Sequence, residues 1–322
     1  MKSARIAFKN NLGVLVTLVV IVVFFSLRSP FFLRPRNIIN ILNHSTITII
    51  LASGMAFVLA TGGVDLSVGS TLGFTGVVVG YLMIGGAPWP LSVLAGLAVG
   101  AGIGAFNGFV IAKARIQPFI MTLAMLSIVR GMALVVSQGQ PVFGFPLAFT
   151  QLFAGRLFGI PTNVLIALGI FGILAFLGMK TRYGLYVRSV GGGEDSADIC
   201  GIPVMRLKIL VYTVSGFLAA VSSLVFMSFM DAAEPLAGLQ TEWLEAIAAP
   251  IIGGASLSGG VLSLPGTLMG ALILAALRNG LNILGVQPFF QQLFIGLIII
   301  ISVIVDAVRT RRQEAAVRKV QA

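Results

Sequence analysis

Residues 209–230 read ILVYTVSGFLAAVSSLVFMSFM, without one charged side chain. A helix needs about 20 apolar residues to cross the hydrocarbon core of a bilayer, and this stretch is long enough. As a helix it satisfies its own backbone polar groups, which lipid cannot do for it. Reading outward from it gives ten expected spans: Leu12–Leu27, Ser45–Thr61, Leu66–Ile84, Leu91–Ala112, Phe119–Ser137, Thr162–Met179, Ile209–Met230, Trp243–Ile252, Leu262–Leu284 and Phe289–Val308. The eighth is short and holds Pro250, and the second is interrupted by Gly54. Either is a candidate for a broken or re-entrant segment, which is tolerated where protein or a cavity surrounds it. The expected fold is therefore all-α, a polytopic integral membrane protein of about ten transmembrane helices.

Composition agrees. The chain has 322 residues, 57% of them hydrophobic and only 10% charged, against roughly 25% charged in soluble domains. So few charges cannot cover a water-facing surface. The 39 glycines would weaken a soluble helical protein but allow membrane helices to approach closely. A lone Cys200 and a lone His44 exclude an internal disulfide and argue against zinc chemistry. The net charge of +11 raises the question of nucleic acid. The basic residues cluster between apolar runs and at the termini, which points to membrane orientation instead. No small-residue cleavage site follows Leu12–Leu27, so it reads as the first membrane helix and not as a leader.

Lysine and arginine test the topology. Lys2, Arg5 and Lys9 put the N-terminus in the cytoplasm. With ten spans, Lys113 and Arg115 fall inside, as do Lys180, Arg182, Arg188, Arg206 and Lys208, and the tail with Arg309, Arg311, Arg312, Arg318 and Lys319. Arg28, Arg34 and Arg36 fall outside and break the rule once.

Three connections stand out. The inside segment Lys180–Lys208 carries Glu194, Asp195 and Asp198 between Gly191-Gly192-Gly193 and Gly201, a short helix freed by glycine at both ends. Gln138–Ile160 and Asp231–Glu242 read as outside loops. Gly62–Gly69 and Gly253–Gly260 share the pattern GG-x-x-L-S-x-G, each at a break between two spans. Duplicated halves with broken helices are a transporter habit, though similar turn geometry produces the same pattern.

Catalytic constellations are missing. The chain has no GxxxxGK[ST], so it cannot cradle ATP phosphates alone, and it has no HExxH or CxxC. The carboxylates Asp65, Asp231, Glu242, Glu245 and Asp306 all read as terminal to spans or in loops, while Arg130 and Arg278 lie deepest in apolar runs. An ion-coupled pump usually needs carboxylates within its spans. Asn107, Gln117, Thr122, Gln138, Asn279, Asn282, Gln291 and Gln292 lie in or beside spans and suit a neutral, hydroxyl-rich solute, with Asn107, Gln117, Thr122, Asn279 and Asn282 as the candidates for lining its path. Interhelical hydrogen bonding would also account for any one of them.

Thr61-Gly62-Gly63-Val64-Asp65-Leu66-Ser67-Val68-Gly69-Ser70 resembles the signature of ribose-type sugar permeases of binding-protein-dependent ABC importers. Asn37–Leu42, Gln117–Leu123 and Gly253–Gly260 followed by Gly266-Thr267 and Gly270-Ala271 resemble further family segments in the same order, so the resemblance runs from about Asn37 to Asp306. It implies a single transmembrane permease domain over residues 1–322, with a cytoplasmic coupling loop at about 180–208 and a basic cytoplasmic tail at 309–322. It also implies a bacterial inner-membrane setting, a cytoplasmic ABC ATPase that binds the ATP, a periplasmic sugar-binding protein, and a second permease copy or sister permease. No cofactor is expected in the chain and no nucleic-acid partner. The coupling helix would be Glu194–Ile202, with Glu194, Asp195, Ala197, Asp198, Gly201 and Ile202 as its contacts. Gly193–Asp198 departs from the family's usual Gly-Asn-acidic-acidic-Ala-Ala run, whereas Cys200-Gly201-Ile202-Pro203 matches it.

On this resemblance the substrate is a monosaccharide, a ribose-like pentose or a hexose. The signature residues Gly62, Gly63, Asp65, Leu66, Ser67 and Gly69 and the second motif's Gly253, Gly254, Ser258 and Gly260 would form flexible or tightly packed breaks. Asp65 is expected to cap a helix start in preference to touching sugar. The rival reading is a secondary sugar transporter driven by an ion gradient.

Overall fold

The computed structural model describes residues 2–308, apart from 288, 299, 302 and 305–307, with side chains described from residue 12 onward. The basic tail, with Arg309, Arg311, Arg312, Arg318 and Lys319, and Asp306 lie outside the described residues. The helices are α1 (Lys2–Arg28), α2 (Pro35–Ala60), α3 (Val68–Ile84), α4 (Trp89–Ala114), α5 (Pro118–Ser137), α6 (Leu147–Ala154), α7 (Thr162–Lys180), α8 (Arg182–Gly192), α9 (Glu194–Ile199), α10 (Val204–Met230), α11 (Glu242–Ile252) and α12 (Leu264–Ile283). A last helical stretch, α13, covers Phe289–Ile298. One small antiparallel hairpin, β1 (Arg156–Leu157) and β2 (Ile160–Pro161), precedes α7.

Local chemistry sets many helix starts. Proline occupies the first or second position of α2, α4, α5 and α12, where its missing N–H would have had no intrahelical partner. Among the described residues, six helices are long and apolar enough to cross a membrane: α2, α4, α5, α7, α10 and α12. The chain is a multi-pass membrane protein.

α2 and α10 form the centre, with Met55, Phe57, Leu59, Val211, Tyr212 and Met227 buried. α5 and α7 lie outside them and expose Ile128, Val135, Ile173 and Phe176, the surface a lipid solvent accepts. Between helices in lipid there is little hydrophobic drive, so close van der Waals packing must hold them. α4 lies on α10 through small residues: a methyl added at Gly100 would sit 2.6 Å from the Gly216 carbonyl oxygen, and one at Gly108 would sit 2.7 Å from the Ile209 Cα.

Each expected span meets a helix, and the two candidates for a broken or re-entrant segment differ in outcome. α2 continues from Pro35 to Ala60 without a break, because Gly54 is used for packing and presses on Leu218 and Ser215 of α10. The eighth span is not a membrane-length helix. α11 has 11 residues, about 16 Å, roughly half of a 30 Å core.

The chain before α11 accounts for the missing length. Asp231–Glu242 is not simply an outside loop, since Ala232, Ala233 and Ala237 are buried. It runs antiparallel along α3: Ala233 lies beside Gly80, Pro235 beside Gly73, and Gly238 beside Gly69. Val142 and Ala233 exchange backbone hydrogen bonds of 3.0 and 2.9 Å. Irregular backbone survives at depth when protein surrounds and satisfies it. Gln138–Ile160, the other expected loop, contains α6 and the first residues of the hairpin.

Candidate functional site

The signature stretch turns the chain between α2 and α3. Gly62 takes a left-handed φ of +79°, and Gly63 leaves room for the Tyr212 ring of α10. Asp65 is buried. Its Oδ1 accepts hydrogen bonds from the Ser67 backbone N–H at 3.1 Å and the Ser67 hydroxyl at 2.6 Å. Its Oδ2 accepts one from the Ser215 hydroxyl of α10 at 2.9 Å. The carboxylate thus closes a turn two residues ahead of the α3 boundary and also ties that turn to α10. Ser67, not Asp65, occupies the N-cap position, without a side-chain cap bond.

Two of the candidate path residues support this turn. Asn107 of α4 donates to the Ser67 hydroxyl at 2.9 Å, and Thr122 of α5 donates to the Val64 carbonyl at 3.1 Å. Both are buried. Leu66 is buried beneath the turn, and Gly69 admits the Gly238 backbone.

The second glycine motif meets the first. Gly254, Gly259 and Gly260 all have positive φ, and the Gly260 N–H donates to the Ala60 carbonyl at the end of α2 at 3.0 Å. Ser258 places its carbonyl next to Gly62, and Gly253 presses on Gly266 of α12. Gly191, near the end of α8, fits between Ala60 and Gly260. The two copies of GG-x-x-L-S-x-G therefore pack on each other at one end of the bundle, with the end of α8 between them. Each follows one helix and precedes another: α2 then α3, and α11 then α12.

At the same end, Glu194, Asp195, Ala197 and Asp198 lie on α9, which stops at Ile199, three residues short of the expected Ile202. Ala197 points inward and is buried, whereas Ile199 is 87% exposed. Gly201 turns the chain with φ +79°, and the Ile202 N–H closes back on the Ala197 carbonyl at 3.1 Å. Glu194, Asp195 and Asp198 flank a groove of about 630 Å³ with Lys113, Arg115, Gln117 and Lys208. Glu194 pairs with Lys208 of α10.

The opposite end holds a second cavity, of about 350 Å³, within the roughly 300–1,000 Å³ range of small-molecule sites. Its walls come from α2, α7, α10, α11 with the segment before it, α12 and α13. Six amides contribute to the polar lining: Asn43, Asn163, Gln240, Asn282, Gln291 and Gln292. Phe226 and Phe229 supply apolar faces, and the His44 ring meets Phe229 edge-on at 5.8 Å. The Gln291 amide donates to the Asn282 side-chain oxygen at 2.7 Å.

An ion pair crosses this cavity. Glu245 of α11 is buried and pairs with Arg278 of α12. The Thr48 hydroxyl of α2 donates to the other Glu245 oxygen at 2.7 Å, and Arg278 also donates to the Thr241 hydroxyl at 2.5 Å. Glu245 lies at a helix end, as its sequence position suggests, and is nevertheless buried. α11 is so short that its first turn lies inside the protein, and Glu245 with it. Arg278 lies deep in an apolar run, and an intramembrane guanidinium calls for a partner; that is the signal in the sequence that points to a buried carboxylate such as Glu245. Arg130, the other deep arginine, stays exposed on α5.

The five candidate path residues do not share one place. Asn282 lines the cavity. Asn279, one turn away, exchanges side-chain hydrogen bonds of 2.9 and 3.0 Å with Asn37 and so ties α12 to α2. Asn107 and Thr122 hold the signature turn, and Gln117 faces the groove beside α9.

The family model described as "Branched-chain amino acid transport system / permease component" matches residues 37–303. The ribose import permease protein RbsC of Bacillus subtilis (strain 168) is 40% identical over 299 residues, covering 92% of each chain. RbsC of Escherichia coli (strain K12) is 40% identical over 296 residues, covering 91% of this chain and 92% of its own. The D-allose transport system permease protein AlsC of the same strain is 37% identical over 301 residues, covering 93% and 92%. These relatives are transport subunits and not enzymes, and permease components of ABC importers work with a separate ATPase and a solute-binding protein. With two glycine motifs packed on each other, a polar cavity and matches over nine-tenths of its length, the chain belongs to the ribose-type sugar permease family of ABC importers.

Proposed function

We propose that the chain is the inner-membrane permease subunit through which a monosaccharide, a ribose-like pentose or a hexose, enters the cell, with energy from ATPase subunits at the α9 end. The observation that carries this reading is the course of α10. It starts directly after α9 and its linker, its middle bonds the signature turn through Ser215, and its end lines the cavity with Phe226, Phe229 and Met230. A push on α9 is therefore applied to the same helix that walls the solute cavity. Glu194, Asp195 and Asp198, with the exposed Ile199, are the surface offered to the ATPase.

On this reading the N-terminus and tail are cytoplasmic, the cavity opens toward the periplasm, and a sugar-binding protein docks there. The working unit pairs two permeases, and residues 1–322 act as one permease domain. The relatives' names supply the sugar class, and the amide lining suits it, because neutral hydroxyls need both donors and acceptors.

The test is uptake of radiolabelled D-ribose, D-allose and L-arabinose into cells carrying this chain with its ATPase and binding protein, with and without a functional ATP site. The expected result is uptake that needs both partners and survives collapse of the ion gradient. Uptake by this chain alone, abolished by an uncoupler, would overturn the reading in favour of a secondary transporter.

A further inference from the structure

Four charged or titratable side chains face the cavity: His44, Glu242, Glu245 and Arg278. The last two are spent on each other. Arg278 bonds Glu245 and the Thr241 hydroxyl, and Glu245 accepts in addition from Thr48. Glu242 sits in the first turn of α11 and accepts the Thr241 backbone N–H at 3.1 Å, where a helix N-terminus favours a carboxylate. The buried carboxylate and the guanidinium facing the cavity balance each other's charge. An amino-acid zwitterion needs one partner for each of its charges, and the cation it would meet already has a carboxylate.

We infer that the Glu245–Arg278 pair is a charge filter for the solute: it keeps the cavity selective for a neutral polyhydroxy compound against anionic sugars and zwitterions. This rests on the reading of the cavity as the solute site. The pair spans α11 and α12 and is bonded from α2 and from the segment before α11, so four elements hold it in place. Removing Arg278 leaves the Glu245 charge buried and unpaired, which is strongly unfavourable, and removing Glu245 leaves a half-buried guanidinium without its carboxylate. A solute of opposite charge relieves that state. Glu245→Gln therefore exposes Arg278 to an anion, with little change in side-chain shape. Arg278→Gln leaves Glu245 to repel one.

The experiment measures equilibrium binding of radiolabelled D-ribose, D-allose and L-arabinose, and of the aldonate of each, to the full chain purified in lipid nanodiscs. Glu245→Gln is expected to raise the aldonate-to-sugar binding ratio by about tenfold or more, since like and opposite charges at a desolvated site differ by at least that much. Arg278→Gln is expected not to raise it. The swapped pair Glu245→Arg with Arg278→Glu is expected to restore the neutral preference, which a merely structural loss would not do. Asn282→Leu separates the two levels of the argument. If it weakens sugar binding while Glu245→Gln gains no aldonate, the filter is wrong and the cavity right. If the parent chain binds no sugar, or if no variant including Asn282→Leu changes binding, the cavity reading falls and the filter falls with it.

Discussion

The two ends of the bundle are joined by opposite means. At the α9 end, Ala60, Gly62, Gly191, Gly259 and Gly260 meet backbone to backbone, with little side chain between them. At the other end, side chains do the joining: Thr48, Thr241, Glu245 and Arg278 connect four elements through charge and hydrogen bonds. A backbone junction is held by fit and tolerates almost no added volume. A polar junction is held by direction and can be re-formed by other groups of suitable charge. The first suits a place where motion is passed on, and the second a place where a solute must be recognised.

Four substitutions bear on that contrast, beginning with the largest expected effect. Glu245→Leu should abolish uptake and lower stability by about 3 kcal/mol, because the half-buried Arg278 loses its carboxylate and Thr48 loses its acceptor. Denaturant unfolding of the purified chain would read this. Adding Arg278→Leu should recover most of the stability and none of the uptake. If the double variant is as unstable as the single one, the junction is held by packing and the contrast between the ends is lost.

Gly191→Val comes next. Its side chain would press on Ala60 and Gly260, and overpacking of this kind costs about 1–3 kcal/mol. We expect uptake to fail while sugar binding by the purified chain persists. Loss of binding as well would mean that the two ends do not act separately.

Asp65→Asn tests the link between them. The carboxylate accepts three hydrogen bonds, and bonds to a charged group are worth about 1.5–3 kcal/mol. A drop near that size in unfolding free energy, with reduced uptake, is expected. Normal folding and transport would show that the charge at this turn is unimportant. The smallest effect belongs to Lys208→Ala, which removes an ion pair whose Glu194 side chain is 50% exposed. Exposed pairs contribute about 0.2–1 kcal/mol, so stability should barely move. A large loss of stability would place the Glu194 contact among the structural ones.

Much of this was legible in the chain before folding. The spans follow from runs such as 209–230, because a bilayer demands length and apolarity, and both are local properties. The short helix at Glu194 was visible between its glycines, and the GG-x-x-L-S-x-G echo marked both breaks. The cavity was not. Of the five path residues expected, Asn282 lines it, while Asn107 and Thr122 turned out to brace the signature turn. A polar side chain on a helix looks the same in sequence whether it faces a void or a neighbouring loop. The burial of Glu245 was hidden for a related reason: its depth depends on Asp231–Glu242 running alongside α3, which is a long-range packing event.

The sequence by itself determined that the chain lives in a membrane, roughly where its apolar helices lie, that glycine motifs separate α2 from α3 and α11 from α12, and, by resemblance, that it carries solute for an ATP-driven importer. All of these rest on local composition and motif. Only the tertiary structure decided which polar groups face one another. It seated Gly191 between the two motifs, tied Asp65 to Ser215, and joined Glu245 to Arg278. Those contacts link residues far apart in the chain, and their geometry is set by how closely small residues let the helices approach.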